Sequence, residues 1–413
     1  MISKSRASQG KAATRDSHPS CVVNRTKVSG GRRGRNLIEI PRGVNDVDLT
    51  IGRRTVRLTN LPKLFWPELG VTKRDVLQYY ARMAPVLLPH LVDRAMVMKR
   101  YPHGAAGEFF FMKRAPSPRP AWIQICMIEH SSGNVIDFPV IQDLPSLLWL
   151  VNLGCIDLNQ WYARCDDVDR PDYLHFDLDP VEGANFSRVC ATALRVRDGL
   201  AKLGMTSLVK TTGSKGLHLY VPIVRGPTQK EVWTVAKNVA QGMANLYPDL
   251  ITAEYRIAKR PLGRVLVDYN QNAWGRTLAS VYSIRPRPKA TVSTPITWQE
   301  LERGIKIEDF RIDNVPARVE KLGDLWKPLL HQRGRFRLER LIERPSRPRP
   351  APRPVAPDGA PPPDANAQPA PANVKTQPAA VKSKPRPSRA KTSARPTRAK
   401  AKPQAVKKPP RRK

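Results

Sequence analysis

Between residues 72 and 91 the apolar side chains fall at Val76, Tyr79, Tyr80, Met83, Val86 and Leu87, the three-to-four spacing of one helix face. Thr72 with Asp75 three residues on gives that helix its start signal. Strand-like runs follow at Met96–Tyr101, Glu108–Met112 and Trp122–Glu129. Asp143 or Ser146 then opens a helix through Leu147, Leu148, Leu150 and Val151 that ends near Gly154. In the second half the spacing predicts a strand over Tyr173–Asp179, stopped by Pro180, and a helix over Phe186–Leu203, stopped by Gly204. A turn at Gly213–Gly216 leads into a strand at Leu217–Val221. Thr228 and Glu231 form a capping box for a helix to about Tyr247, and a strand over Arg264–Tyr269 completes the series. This order predicts an α/β chain, a mixed sheet with helices packed on one side. No internal repeat is visible.

Alternation along these strands places the chemistry. In His175-Phe-Asp-Leu-Asp-Pro180, Asp177 and Asp179 share one face while Phe176 and Leu178 point to the other. Acids at the end of an apolar strand are costly to bury unless a cation or donor compensates. Asp268 repeats the pattern after Val265-Leu266-Val267. Three such carboxylates can bridge two divalent cations about 3.5–4 Å apart, the spacing of polymerase sites. His175 shares the acids' face, but a histidine at a strand start reads as a satisfied structural group and stays outside the metal set.

Two glycines in Gly213-Ser-Lys-Gly216 let backbone N–H groups approach an anion, Ser214 adds a hydroxyl, and Lys215 adds charge. The GxxxxGK[ST] phosphate loop is absent. In the next strand His218 and Tyr220 share a face, so His218 can reach a phosphate held by the turn. Gln271, Arg276, Arg285 and Arg287 follow Asp268 closely, and arginine forks suit triphosphate oxygens. The same arginines also fit a generic basic surface. Phe109-Phe110-Phe111, followed by Lys113 and Arg114, is either core or an outer face on which bases stack for about 1–3 kcal/mol each. Lys63 and Lys73, flanking Phe65-Trp66-Pro67, are either a phosphate grip or plain surface.

Charge sharpens the partner class. The 413 residues carry 71 Lys+Arg against 35 Asp+Glu, a net of +36, with 41 prolines. Residues 345–413 contribute +16 and residues 1–45 contribute +8. The tail has 18 prolines in 69 residues and no Leu, Ile, Met, Phe, Tyr or Trp, so it cannot bury enough apolar surface to offset chain entropy. Three parts are therefore expected: a disordered basic arm at 1–45, a folded domain at 46–344, and a disordered Pro/Lys/Arg/Ala-rich DNA-binding tail at 345–413. A field of this sign favours phosphate backbones or an anionic membrane. Residues 1–45 lack the apolar core of a signal peptide, and Leu144–Ile156 is too short and interrupted to span a bilayer. The five cysteines show no CxxC spacing and read as small core residues in a reducing compartment. The expectation is a soluble intracellular protein without a membrane partner.

In order along the chain, "LTNLPKLFWP", "KRYPHG", "FFFMKRAP", "FDLDP", "TGSKGLHLYVP" and "VDYNQN…YSIRPR" resemble the polymerase domain of bacterial ligase D. This is the end-joining branch of the archaeo-eukaryotic primase superfamily, and the match runs from about Arg57 to near Arg349. The resemblance implies a primase-polymerase fold and a two-metal, template-dependent nucleotidyltransferase, DNA-directed, working in double-strand break repair by non-homologous end joining. It implies Asp177, Asp179 and Asp268 as ligands of two divalent cations, Mn2+ or Mg2+. It gives Ser214, Lys215 and His218 to the nucleoside triphosphate, with Gln271, Arg285 and Arg287 lining the same pocket. Phe110 and Phe111 would stack near the templating base, and Lys63 and Lys73 would grip the 5′-phosphate of a DNA gap or break. It also implies a Ku-type end-binder and a separate ATP-dependent ligase as partners, in a bacterial cytoplasm at the nucleoid. Asn159 stands where the family usually carries a histidine, and asparagine cannot become cationic. No KxDG adenylation motif occurs, so the expectation is that the chain carries no ligase module. A non-catalytic DNA-end binding or bridging protein and a primer-independent primase are the alternatives.

Overall fold

A computed structural model describes residues 38–130 and 132–342. The arm before residue 38 and the tail after 342 lie outside the described residues. Packing reaches ahead of the boundary expected at 46. Ile40 is fully buried, its amide donates to the Gln78 side chain, and its carbonyl accepts from the Arg74 guanidinium.

Two sheets position everything that follows. The larger has six strands in the order Ile251–Thr252, Val265–Asp268, Tyr173–Pro180, Leu217–Pro222, Leu208–Thr211 and Pro295–Ile296. The smaller has four, Thr277–Ala279, Cys155–Trp161, Met96–Arg100 and Phe110–Met112. Among the described residues, three two-stranded hairpins complete the strand set, pairing Val47–Ile51 with Arg54–Leu58, Leu64–Trp66 with Val71–Thr72, and Ile125–Glu129 with Val135–Pro139.

Helices Phe186–Lys202 and Gln229–Leu246 cover one face of the six-stranded sheet. The first buries Val189, Ala193, Val196 and Leu200 and the second Val232, Ala236 and Ala240, against a sheet face that includes Phe176, Leu178, Leu217 and Leu219. Each fully buried Val, Leu or Phe among these contributes about 1.5–3 kcal/mol. Truncating Leu178 to alanine would forfeit that and leave a cavity, about 2–5 kcal/mol in all.

The sheet's other face is not open to solvent, as a simple alternation of buried and wet positions would have it. His175 is buried there with its ring 5.1 Å from Tyr162 and 5.2 Å from Tyr220, and Lys210 donates to the carbonyl of Ala279 in the four-stranded sheet. At the base of the Tyr173–Pro180 strand, Arg94 Nη2 bonds both carboxylate oxygens of Asp172, at 2.7 and 2.8 Å. Burial, the largest single influence, would raise the Asp172 carboxyl, but the charge and hydrogen bonds of Arg94 together with the Arg164 and Arg335 charges outweigh it and hold the group below its usual range.

The helix starts follow from the capping chemistry. Thr72 with Asp75 and Thr228 with Glu231 each form the full reciprocal box, and Asp143 caps a helix over Leu144–Asn152 with Ser146 as its third residue. Gly204, at φ +79°, follows the Phe186–Lys202 helix. Two expected strands are shorter than their apolar runs. Regular pairing of the 122–129 run begins at Ile125, opposite Pro139, with one further bond from Val140 N to Gln124 O at 3.0 Å. The 108–112 run pairs only over Phe110–Met112, where Met96–Arg100 supplies partners. Among the described residues no helix is long and apolar enough to cross a membrane.

Candidate nucleotidyl-transfer site

Three strands bring the expected acids together. In the six-stranded sheet Asp177 faces Asp268 on one side and His218 on the other, and His218 in turn faces Lys210. Asp268, Asp177, His218 and Lys210 therefore form one row across four strands, on one face of the sheet. Asp179 stands two residues along from Asp177 on the same face.

Gathering carboxylates here is unfavourable, and the acids record it. Burial, then the nearby Asp268 charge, pushes the Asp177 carboxyl up to about 7. Asp179 is also raised to about 7, chiefly by Asp177 and then by burial. Oδ1 of Asp177 lies 3.2 Å from Nε2 of His218 without forming a hydrogen bond to it, so this buried oxygen has no donor among the described residues. Asp268 is steadied by the turn that follows it, accepting from Asn270 N at 2.8 Å and Gln271 Nε2 at 3.0 Å. Among the described residues no three His, Cys, Asp or Glu side chains already enclose a metal position. Even so, hard oxygen donors, mutual repulsion and an orphaned carboxylate oxygen fit divalent cations such as Mn2+ or Mg2+. His175 stays outside the metal set by position, its ring packed among Tyr162, Tyr173 and Tyr220, but it is not the satisfied group expected, since neither ring nitrogen has a partner among the described residues.

A cavity of about 500 Å³ opens over this row, lined among others by Asp177, Asp179, Asn159, Ser214, Lys215, His218, Gln271, Arg285 and Arg287. Asn159, Ser214, Lys215, His218, Gln271, Arg285 and Arg287 therefore meet at one place, with Asp268 flanking it through Asp177 and Gln271. A larger cavity of about 650 Å³ lies beyond the same turn, sharing Ser214 and Lys215 but none of the three acids. Size does not outweigh chemistry here, and the smaller cavity is the candidate site.

The turn works differently from the glycine reading. Two of its amides, Ser214 N and Gly216 N, donate to Thr212 Oγ1 at 3.1 Å and so are occupied within the turn. Glycine is required at 216 for room: a Cβ there would sit 2.0 Å from the Leu178 carbonyl oxygen and 3.3 Å from Asp179 Oδ1. At Gly213, φ is +66° and a Cβ would meet Arg285 Cγ at 2.7 Å. Charge at the turn comes from side chains, with Lys215 exposed, Arg287 bonded to Ser214 Oγ, and Arg285 Nη1 donating to Thr212 O at 2.6 Å.

The remaining expected residues lie elsewhere. Arg276 is exposed and does not line the cavity, whereas Arg260, which the sequence did not single out, does. Phe109, Phe110 and Phe111 are 49, 45 and 60% exposed, which decides between core and outer face in favour of the outer face. Lys99 and Arg100 sit against these rings, Lys99 at 4.1 Å over Phe109. Lys63 and Lys73 meet on the hairpin Leu64–Trp66/Val71–Thr72, where the Lys73 amide donates to Lys63 O. Burial, then the Lys63 charge, pushes the Lys73 ammonium down to about 8. Trp66 Nε1 donates to Arg287 O at 2.7 Å and ties this hairpin to the cavity wall.

Asn272 was also missed. Fully buried, it accepts from His175 N at 3.0 Å and donates to His175 O at 2.7 Å and Tyr269 O at 2.9 Å, fastening the Asp268 turn to the acid strand. The asparagine and glutamine following Asp268 were its only sequence signal.

The sequence model of the family described as LigD, primase-polymerase domain, matches residues 72–326. The chain belongs to that family. Among curated relatives of this LigD domain, the multifunctional non-homologous end joining protein LigD of Mycolicibacterium smegmatis is 36% identical over 276 residues, 66% of this chain and 36% of that protein. The bifunctional non-homologous end joining protein LigD of Bacillus subtilis is 31% identical over 269 residues, 65% of this chain and 43% of that protein. The match thus spans about two-fifths of those relatives or less. A solved structure, the polymerase domain from Mycobacterium tuberculosis ligase D in complex with DNA, superposes with a TM-score of 0.62 at 32% identity. It covers 66% of this chain and 97% of that one. The mixed α/β architecture is accordingly that of the LigD primase-polymerase fold.

Proposed function

We propose that this chain is a template-dependent, DNA-directed nucleotidyltransferase that fills or extends ends during double-strand break repair by non-homologous end joining. The observation that carries the reading is the register of Asp177 opposite Asp268, with Asp179 on the same face, under a cavity edged by Ser214, Lys215, His218, Arg285 and Arg287. Asp177, Asp179 and Asp268 would hold two divalent cations, Mn2+ or Mg2+, which when bound supply activation of the primer 3′-hydroxyl and neutralisation of the departing pyrophosphate. Lys215, Arg285 and Arg287 place fixed positive charge where the triphosphate would lie, so little reorganisation accompanies reaction. Gln271 orients Asp268 through its amide, and Asn159 offers a neutral donor and acceptor at the cavity edge. The exposed Phe110 and Phe111 suit stacking on the templating strand, and the 5′-phosphate of a gap or break would fall to Lys63, which is exposed, with Lys73, which is buried and would have to exchange its bond to Thr59 O for the phosphate.

The partners that follow are DNA with gaps or breaks, nucleoside triphosphates, a Ku-type end-binder and a ligase, in the bacterial cytoplasm at the nucleoid. The folded domain would occupy 46–344 with the packed extension at Ile40, and the basic flanks would add affinity for DNA. Primer extension on a gapped duplex bearing a 5′-phosphate tests the reading. The native chain should incorporate nucleotides and Asp177→Ala should lose at least about a hundredfold in rate. Extension unchanged by Asp177→Ala would leave a non-catalytic end-binding protein. Extension without any primer would instead mark a primase.

A further inference from the structure

Asp157 is 1% exposed, on the Cys155–Trp161 strand two residues before Asn159, and it touches none of the cavity space. Its Oδ2 lies 3.4 Å from Arg285 Nε and 3.7 Å from Lys99 Nζ, ion-pair contacts of which the first is not a hydrogen bond, and Lys99 is its register partner on the neighbouring strand. At its other end Arg285 donates to Thr212 O in the turn, so the guanidinium is held between a buried carboxylate and the segment that edges the nucleotide cavity. Lys99 is held likewise between Asp157 and the Phe109 ring. A second cavity of about 280 Å³ shows what the pair shapes, with Lys99, Tyr101, Phe109, Arg285 and Arg287 among its lining. Arg285 lines both cavities and forms the wall they share.

Lys99 stands near enough to Arg285 and Arg287 to be disfavoured by their charge, and one buried carboxylate pairs with Lys99 and Arg285. The cluster is short of negative charge, which an anionic ligand would supply. Asp157 Oδ1 has no partner among the described residues, so the carboxylate spends its charge on Arg285 and Lys99 through a single oxygen.

We infer that Asp157 is a positioning residue for nucleotide recognition, fixing Arg285 so that its charge faces the triphosphate, with Lys99 as the second cation it balances, without meeting the ligand itself. The inference rests on the reading above that Arg285 contacts the triphosphate. It predicts a sign opposite to simple electrostatics. Neutralising a buried acid makes the pocket more positive, which by charge alone would tighten triphosphate binding. A positioning role predicts weaker binding, because a freed Arg285 is repelled by its neighbours and no longer preorganised.

The test compares Asp157→Asn, Asp157→Glu, Arg285→Gln and the double variant Asp157→Asn/Arg285→Gln in primer extension with the full chain. Folding and DNA binding are followed in parallel by thermal melting and by affinity for a 5′-phosphorylated duplex. Asp157→Asn should raise the KM for nucleoside triphosphate about tenfold, the scale of one charge-assisted contact, with kcat changed less and DNA affinity unchanged. Asp157→Glu should recover part of the loss. The double variant should be no worse than Arg285→Gln alone, because both changes break one unit. A lower or unchanged KM for Asp157→Asn, or additive effects in the double variant, would overturn the inference. If Arg285→Gln itself leaves KM untouched, the triphosphate role of Arg285 fails and the inference with it. If Arg285→Gln raises KM while Asp157→Asn does not, only the inference falls. Assays run well below the melting midpoint of the weakest variant keep a folding defect from mimicking either result.

Discussion

Lys210 Nζ lies 2.6 Å from Nδ1 of His218, at the closed end of the row that runs through Asp177 to Asp268. The lysine is fully buried, and its other partners are Ser293 Oγ at 2.5 Å and Ala279 O at 3.0 Å. Ser293 Oγ donates onward to Thr211 O, so it can only accept from Lys210. Lys210→Met keeps the stem but strands these partners in the interior. It should lower stability by about 3 kcal/mol. Urea unfolding measures this, and an unshifted midpoint would mean that the lysine is not holding the row together.

The acid row carries an opposite expectation. Asp177→Asn removes repulsion among Asp177, Asp179 and Asp268, so the metal-free protein should melt a few degrees higher than native. Native protein should be stabilised by added Mn2+, about 2.7 kcal/mol at a hundredfold excess over the dissociation constant, and the variant should respond far less. Melting curves with and without MnCl2 decide it. A variant that responds to manganese as the native chain does would place the cations elsewhere.

Lys73 gives end recognition a pH dependence. Its ammonium titrates near 8 and Lys63 stands beside it, so charge at this grip falls as pH rises through that value. Preference for a 5′-phosphorylated over a 5′-hydroxyl end should therefore weaken between about pH 7 and 9. Lys73→Arg should abolish the trend, since arginine stays charged throughout. Fluorescence anisotropy with the two end types reads both, and a flat native profile would count against the assignment.

Asp172 sets the behaviour in acid. Its folded-state carboxyl is held below the unfolded value, so its pairing with Arg94 stabilises the fold above about pH 4 and is lost as pH falls through the folded value. Asp172→Asn leaves Arg94 buried without its partner and should lose about 3–5 kcal/mol at neutral pH. Its stability should also fall less as pH drops below about 4 than that of the native chain. Denaturation midpoints across that range test both statements.

Local signals carried much of this architecture. Thr72, Thr228 and Asp143 mark helix starts through bonds that span three residues, and Gly204 marks a stop, so each is written in a few adjacent letters. Asp177 and Asp179 were readable for the same reason, because alternation fixes their shared face. Other features depend on contacts between distant segments. Nothing near Asp157 announces Arg285, nothing near Asn272 announces His175, and the Trp66 bond to the Arg287 carbonyl joins opposite ends of the domain. The buried second face of the central sheet was hidden likewise, since His175 and Lys210 look like surface residues until another sheet covers them. Glycine at 216 was noticed for a plausible but different reason, anion approach, whereas its neighbour across the sheet is what demands it.

That last position has an evolutionary corollary. Between residue 216 and the peptide oxygen of Leu178 there is space for a hydrogen and nothing heavier, at the joint where the anion turn abuts the strand bearing Asp179. Even the mildest replacement would wedge those two segments apart, so inherited variation at 216 has nowhere to go but glycine.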